Sequence, residues 1–515
     1  MNQYRISSPL LIGGILLMLL PALAGAETSG GMLEAALIFG PDDNLDPAYK
    51  YTGWDMREVG IYETLFSYDP DMNLIPELAT GFEQVSDTEY RIKLREGINF
   101  HDGSSMNADA VVFSIQRVLD PANSRNKEYG FIESVTKYND SAVTIKTKEP
   151  FAPLIASLTD PLVSIISPAE EDINKTPVGT GPFSFDSYEK GVRLTVVRND
   201  AYWGETALLE GAVINYLGDP LTRSLQLQGG DVDITRGVPQ TEVQKLEDSG
   251  LEVMDKETLR NYFMYVNTRK APFSDVKVRQ ALNYAINRKE LVDTALEGIG
   301  GVPAKGVFPD SLPWSANDDL EGYEYDPEKA KELLAEAGIS DKDGDGFLDY
   351  QGEPFNLTIK TYTKRAELKP SAEVVAVQLQ SLGIKSQVEV LESGALSADL
   401  KDGNYDLALY AWNTAPTGDP DYFLSKHFES TGSEAAYTGY SNPEVDEWIE
   451  LGRTTFDPEE RREYYNKVQE KVREDSPDIF LFYLNELVGL NTNVKGFEIY
   501  PSEVSFLTNK ISLEA

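Results

Sequence analysis

The 515-residue sequence predicts an α/β fold. Residues 356–361 and 385–390 have the pattern of strands, and residues 373–382 between them have helical periodicity. A helix between two strands is typical of a crossover unit in an α/β protein. The length allows about three domains, or one large two-lobed body, at roughly 150 residues per domain. No segment repeats at a fixed period, so a solenoid is not indicated.

Other segments continue this alternation of strands and helices. Residues 90–94 alternate polar and apolar side chains, and residues 193–197 form a second strand-like run. Residues 327–337 are predicted to be a helix that Asp326 caps at its start and Gly338 at its end. Further helices are expected at residues 276–291 and 458–472.

The composition excludes several classes of function. The chain has 85 acidic and 46 basic residues, for a net charge of −39. Such a surface repels phosphate backbones and anionic lipids, so no nucleic-acid partner is expected. It suits small cationic or zwitterionic ligands better, although a solvated acidic surface explains it equally simply. Cysteine is absent and His101 and His427 are the two histidines, which excludes thiolate sites and sites built from several imidazoles.

No enzyme is predicted. The sequence has no Gly-x-Ser-x-Gly and no His-Glu-x-x-His pattern, and without cysteine it lacks a thiol nucleophile. A required cofactor is therefore not expected either.

Residues 1–26 are predicted to be a signal peptide. Arg5 precedes the apolar residues 10–20, a run too short to span a bilayer of about 30 Å comfortably, and residues 24–26 form a small-x-small cleavage pattern. The alternative is a retained membrane anchor. The mature protein is expected to be periplasmic or extracytoplasmic.

Residues 341–349 resemble the first nine positions of a calcium-binding loop. Asp341, Asp343, Asp345 and Asp349 occupy odd positions, and Gly346 permits the sharp turn. Loop position twelve, however, is Gly352 rather than an acid. A polar turn is the alternative, and any calcium bound here would be structural.

Seven motifs in register resemble the family 5 extracellular solute-binding proteins of peptide and nickel ABC importers. They extend over nearly the whole mature chain at residues 44–47, 61–66, 78–115, 179–183, 198–204, 278–287 and 439–446. The resemblance implies a type II periplasmic-binding-protein fold of the large peptide-binding kind, with two α/β lobes joined by a hinge of two strands. The ligand would be enclosed between the lobes of a monomer and delivered to an ABC permease in the membrane.

The resemblance also implies domain limits. The first lobe would comprise residues 27–70, 177–270 and 481–515, and the second lobe residues 271–480. An extra subdomain of the first lobe would comprise residues 71–176.

The ligand class depends on residues 410–421. In peptide-binding members, a tryptophan here is followed three residues later by an aspartate that pairs with the ligand ammonium. This chain has Trp412 but Ala415, and Trp-x-x-Ala-Pro resembles the nickel-type members. A nickel-type metal chelate is therefore favoured as the ligand, with a di- or oligopeptide as the alternative. Residues 158–163 contain no arginine, where a chelate binder can have one, and this weighs against the chelate.

Five residues are the candidate site. Tyr410 and Trp412 would form aromatic walls, and Arg365 would clamp a ligand carboxylate in bidentate fashion. His427 could coordinate the metal, or be an ordinary surface-loop histidine. Asp419 could bind the ligand, and in the peptide alternative it or Asp421 would pair with the ammonium, although both also suit a Gly-Asp-Pro turn.

A chemosensory or chaperone-like binding module of the same fold is a further alternative. It would share the cleft but would not need a permease.

Overall fold

The computed structural model describes residues 28–169 and 172–514. The predicted signal peptide, residues 1–26, lies outside the described residues. Within them, no helix has both the length and the apolar character needed to cross a membrane.

Short strands and helices alternate along the described chain, as the sequence predicts. The strands are β1 (Thr28–Ser29), β2 (Met32–Leu37), β3 (Phe66–Tyr68), β4 (Leu74–Pro76), β5 (Ala79–Ser86), β6 (Glu89–Leu94), β7 (Ile132–Asn139), β8 (Ala142–Thr147), β9 (Phe183–Glu189), β10 (Arg193–Arg198), β11 (Gly211–Tyr216), β12 (Ile234–Arg236), β13 (Glu252–Val266), β14 (Gly301–Pro303), β15 (Asp349–Tyr350), β16 (Glu353–Pro354), β17 (Asn356–Tyr362), β18 (Lys385–Leu391), β19 (Leu407–Asn413), β20 (Asp478–Leu490), β21 (Val494–Lys495) and β22 (Ser512–Glu514). The helices are α1 (Thr52–Glu58), α2 (Ala108–Leu119), α3 (Leu154–Ser157), α4 (Pro220–Gly229), α5 (Gln240–Asp248), α6 (Val276–Tyr284), α7 (Arg288–Ala295), α8 (Pro327–Glu336), α9 (Leu368–Ser381), α10 (Ser393–Asp402), α11 (Asp421–Phe428), α12 (Ala435–Thr438), α13 (Pro443–Thr454) and α14 (Pro458–Asp475).

The predicted N-cap of α8 agrees with the structure. Asp326 caps α8 by accepting a hydrogen bond from the Lys329 backbone N–H. The single helix expected at residues 276–291 is instead two helices, α6 and α7. Asn287 caps the second of them by accepting from the Glu290 backbone N–H, so the chain turns between the two.

One large sheet runs through both lobes. Its strand order is β18-β17-β19-β13-β20-β12-β2-β11-β10-β9, and β14 also pairs with β20. The parallel β17 and β18 are joined by α9, which confirms the crossover unit predicted from the sequence.

The long antiparallel strands β13 and β20 connect the two lobes. Residues 252–257 of β13 pair with residues 485–490 beside the first-lobe strand β12, and residues 261–265 pair with residues 478–483 beside the second-lobe strand β19. The register shifts between Glu257 and Asn261. This pair of strands is the hinge that the family resemblance implies.

Three large apolar cores define the bodies of the molecule. The first-lobe core packs β2, β10 and β11, and the second-lobe core extends from Leu259 to Leu484. The third core lies under the four-stranded sheet β5-β6-β8-β7 and helix α2, which form the extra subdomain. The lobe boundary thus passes within the hinge strands, and the domain limits given above remain predictions.

The segment around Gly179 and Gly181 fastens the subdomain to the first lobe. A Cβ on Gly179 would lie 2.0 Å from the carbonyl oxygen of Ile61, and one on Gly181 would lie 2.1 Å from that of Gly60. His101 closes this junction, because its Nδ1 accepts from the Gly179 N–H (3.3 Å) and its Nε2–H donates to the Gly181 carbonyl (3.0 Å). His101 is therefore a structural residue with both ring nitrogens bonded.

Candidate ligand site between the lobes

A cavity of about 780 Å³ lies between the two lobes. The first lobe contributes residues 37–40 and 42 at the end of β2 and beyond it, and residues of α1. The second contributes residues 362 and 364–367 at the end of β17 and beyond it, and residues 410–413 of β19. The hinge strands form part of its lining through residues 258, 260 and 484–487. Relative movement of the lobes would therefore open or close this cavity.

Aromatic side chains form the second-lobe wall. Because side chains alternate along a strand, Tyr410 and Trp412 of β19 lie on the same face, and both are only partly buried. Their ring centroids are 6.0 Å apart, and the Tyr362 ring lies 5.0 Å from that of Tyr410. This wall can pack against the apolar part of a ligand.

The first lobe supplies further aromatic residues to the lining. These are Phe39, Tyr51, Trp54 and Tyr216. The indole N–H of Trp54 is buried and has no hydrogen-bond partner among the described residues.

Arg365 lies at the cavity, where its guanidinium has neither a hydrogen bond nor an ion pair within residues 28–169 and 172–514. The centroid of the Phe39 ring, on the opposite lobe, lies 5.8 Å from its guanidinium carbon. Burial opposes the charge of Arg365, but Tyr262, Tyr362, Glu503 and Glu367 outweigh it and raise the pKa. Arg365 is thus a charged donor with free N–H groups at the cavity.

Ion pairs hold the floor of the cavity. Arg236 contacts both Glu58 and Glu486, and Arg260 contacts Glu503, with 2.9 Å between Arg260 Nε and Glu503 Oε1. Burial raises the pKa of Glu58 to about 7, although Arg236 acts against this. Because these charges are already paired within the protein, they stabilise the cavity and are not free to bind a ligand.

The cavity is balanced in charge although the chain is strongly acidic. Its acidic lining residues equal its basic ones in number: Asp42, Asp55, Glu58, Glu367, Glu486 and Glu503 face Lys50, Arg223, Arg236, Arg260, Lys364 and Arg365. A lining of this kind suits a ligand that carries both signs of charge.

The predicted site residues divide into two groups. Arg365, Tyr410 and Trp412 line the cavity together. Asp419 does not: its carboxylate is buried, pairs with Arg461 (3.0 Å), and accepts from the Asp421 N–H (3.0 Å). The turn role that the sequence allowed for Asp419 agrees with this geometry, and its role in ligand binding remains a prediction.

His427 lies inside helix α11 rather than on a loop, and it does not line the cavity. Its ring stacks on Phe423 with 3.7 Å between centroids. Nδ1–H donates to the Phe423 carbonyl (3.1 Å), and Nε2 accepts from the Tyr265 hydroxyl (3.0 Å). Burial lowers the pKa of His427 well below its usual value. The metal-ligand role remains a prediction that this geometry does not favour, because both nitrogens are already bonded.

The calcium-like loop lies on the surface of the second lobe. The carboxylates of Asp341, Asp343 and Asp345 lie within 4.8 Å of one another, and all three residues are exposed. Asp349 is buried and accepts from the Lys342 backbone N–H (2.9 Å). Three of the four predicted ligands therefore converge, and calcium binding remains a prediction.

Some lining residues carry no sequence signal of their own. Asp55, Phe39 and Trp54 follow the first strand on short loops and a short helix, and Asp55 is one of 85 acidic residues. Ala415, by contrast, is fully buried in the second-lobe core and is not part of the lining.

Comparison with known proteins identifies the relatives of this chain. The family described as bacterial extracellular solute-binding proteins, family 5 middle, matches residues 73–435. Among curated proteins, the oligopeptide-binding protein AppA of Bacillus subtilis (strain 168) is 29% identical over 456 residues, which cover 86% of this chain and 84% of AppA. The glutathione-binding protein GsiB of Escherichia coli (strain K12) is 31% identical over 461 residues, which cover 85% and 86% of the two chains.

Solved structures agree with this architecture. AppA from Bacillus subtilis in complex with a nonapeptide superposes with a TM-score of 0.81 at 26% identity, over 95% of this chain and 100% of that one. A nickel ABC transporter structure from Bacillus halodurans superposes with a TM-score of 0.77 at 29% identity, over 94% and 100%. Peptide-type and nickel-type proteins thus both stand among the relatives.

Proposed function

Since the chain belongs to the family 5 bacterial extracellular solute-binding proteins, which are substrate-binding proteins of ABC importers and not enzymes, we propose that its cleft captures a short peptide with free termini. The protein would be exported through residues 1–26, enclose the peptide between its lobes, and deliver it to the permease.

The free guanidinium of Arg365 carries this proposal. Each hydrogen bond between a guanidinium and a carboxylate is worth about 1.5–3 kcal/mol, and the planar fork of arginine matches a carboxylate in two places. In the described structure this guanidinium has no carboxylate within ion-pair distance, so the ligand is left to supply one. The adjoining wall of Tyr362, Tyr410 and Trp412 would pack on the peptide side chains.

A nickel-type metal chelate is the second candidate. The Trp412-x-x-Ala415-Pro416 pattern and the likeness to the Bacillus halodurans nickel transporter structure favour it. Arg365 would then hold the carboxylates of the chelator. Neither histidine lines the cavity, so the chelator itself would have to supply the nitrogen ligands of the metal.

Calorimetric titration of the mature protein distinguishes the two candidates. We expect a mixed pool of di- to pentapeptides to bind without added metal, and nickel with free histidine to bind more weakly. Arg365→Gln should weaken peptide binding about 10- to 100-fold, as for a lost charged hydrogen bond. Arg193→Gln, an exposed change in the first lobe, is the matched control. Tight binding of nickel with histidine, and none of the peptide pool, would overturn the peptide assignment in favour of the chelate.

A further inference from the structure

Asp55 on helix α1 is an acid of the cavity lining that has no partner among residues 28–169 and 172–514. Among the described residues, its carboxylate takes part in no hydrogen bond and no ion pair, and the side chain is only partly exposed. Every other acid of the lining has one: Asp42 pairs with Lys50 (3.0 Å), Glu58 and Glu486 with Arg236, Glu503 with Arg260, and Glu367 accepts from the Tyr262 hydroxyl (3.0 Å).

The groups around Asp55 disfavour its negative charge. Burial raises the pKa of this carboxyl well above its usual value, and the negative charges of Glu58 and Asp42 add to the effect. Tyr188 and Tyr216 also lie within electrostatic reach of Asp55, and neither supplies a positive charge. A positive group placed next to Asp55 would relieve this cost.

On the second-lobe side of the cavity, two basic side chains lack a partner within residues 28–169 and 172–514. In the described structure, Lys364 and Arg365 of the second lobe are the basic lining residues whose side chains have neither an ion pair nor a hydrogen bond. Arg223 of the first lobe has no ion pair either, but its guanidinium donates to the backbone carbonyls of residues 217, 218, 236 and 237. Lys364 is exposed, whereas Arg365 is half buried. In the described structure, an acid without a partner on the first lobe and a guanidinium without one on the second thus line the same cavity.

We propose that Asp55 binds the α-ammonium group of the peptide while Arg365 binds its carboxylate, so that one zwitterionic ligand joins the two lobes. This inference rests on the proposed peptide-binding function. The residue that binds the ammonium would then lie on helix α1 of the first lobe. At the second-lobe position where peptide-binding members have an aspartate, this chain has Ala415, which is buried and apolar. A ligand without a free amino group would leave Asp55 unpaired and would favour closure less.

The ligand chemistry can be tested directly on the wild-type protein. A di- to pentapeptide pool is mixed with an equal amount of the same pool after N-acetylation with an isotope label, and peptides retained after dialysis are counted by mass spectrometry. We expect a preference of about 10- to 100-fold for free amino termini, as for a lost charged hydrogen bond.

The Asp55→Asn variant links this preference to one residue. We expect it to retain free and acetylated peptides almost equally, while Asp186→Asn, an exposed first-lobe acid outside the cavity, keeps the wild-type preference. Circular dichroism verifies that both variants fold, and the wild-type result stands even if one does not.

The outcomes separate the two proposals. Retention of free and acetylated peptides in equal amounts by the wild type, or an unchanged preference in Asp55→Asn, would overturn the role of Asp55 and leave peptide capture intact. Retention of neither pool would overturn both proposals.

Discussion

Asp55 and Asp478 both lack a side-chain partner in the described structure, but their surroundings give the two carboxyl groups different roles. Asp55 faces a cavity that a ligand can enter, whereas Asp478 at the start of β20 is buried and neither carboxylate oxygen has a hydrogen-bond partner among the described residues. Burial alone raises the pKa of Asp478 well above its usual value. The protonated form of Asp478 is therefore favoured by folding.

This leads to a prediction for stability against pH. Because folding raises the pKa of Asp478, its contribution to stability is complete below the unfolded pKa and is lost as the pH rises through the folded one. Asp478→Asn cannot ionise, so its free energy of unfolding should change less with pH. At the alkaline end it should exceed that of the wild type by about 1–3 kcal/mol, because a buried carboxylate without a partner is costlier when ionised than a neutral amide is. Urea unfolding over a range of pH measures this, and parallel curves for the two proteins would contradict it.

Asp55 should make peptide affinity dependent on pH in the opposite direction. Burial and the negative charges of Glu58 and Asp42 raise the pKa of Asp55, so a proton competes with the ligand ammonium for its carboxylate. Affinity should therefore fall as the pH is lowered through that pKa. Glu58, whose pKa is about 7, also titrates. Peptide affinity is therefore measured by calorimetry over a range of pH for the wild type and for Asp55→Asn. An equal dependence of affinity on pH in both proteins would count against the role of Asp55.

At the scale of elements, the junction at Gly179–181 fixes how the subdomain is attached. We expect Gly181→Ala to lower the free energy of unfolding by about 1–3 kcal/mol, because its new methyl group would overlap the Gly60 carbonyl oxygen. Gly394→Ala is the matched control. It lies in α10 with open space around the Cβ position, where alanine should stabilise by roughly 0.5–1 kcal/mol. Urea unfolding measures the free energy of unfolding of both variants. Equal changes in the two would show that the close approach of Gly181 to the Gly60 carbonyl does not affect stability.

The elements also show how far the sequence could lead. Periodicity was sufficient for the β17-α9-β18 unit and for α8 and α14, since their apolar faces pack on a core. Tyr410, Trp412 and Arg365 were predicted as site residues from the family resemblance, and they line the cavity from β19 and from the segment after β17. His427 and Asp419 lie nearby in the sequence, but helix α11 directs His427 into the core and Arg461 pairs with Asp419. A sequence motif does not reveal which way such a short helix faces.

At the scale of the whole molecule, the second lobe contacts the extra subdomain at the outer edge, away from the hinge. Lys426 of the second lobe donates to Glu128 of the subdomain (2.8 Å), and the Ala152 backbone N–H of the subdomain donates to the Arg453 carbonyl (2.8 Å). Both contacts exist only when the lobes are together. They therefore contribute to ligand affinity without touching the ligand.

Lys426→Gln should weaken peptide binding about 3- to 10-fold, since the lost ion pair stabilises the closed form and is only partly exposed. X-ray scattering of the ligand-free variant should show a larger radius of gyration than that of the wild type. Lys471→Gln removes an ion pair within helix α14 of the same lobe and should leave both quantities unchanged. Wild-type affinity together with wild-type scattering in Lys426→Gln would show that the edge contact does not govern closure.

The pairing of β1 with β22, and of β12 with β20, determines the order in which the protein can be completed. The ribosome makes β1 and β12 first, but their sheet partners β22 and β20 follow the second lobe in the chain. Synthesis of the second lobe must therefore finish before the first lobe can be completed. This reverses the usual order, in which amino-terminal domains fold before the domains that follow them in the chain. Until residue 490 has been made, β12 has no β20 beside it, and such an open edge pairs readily with another unfinished chain.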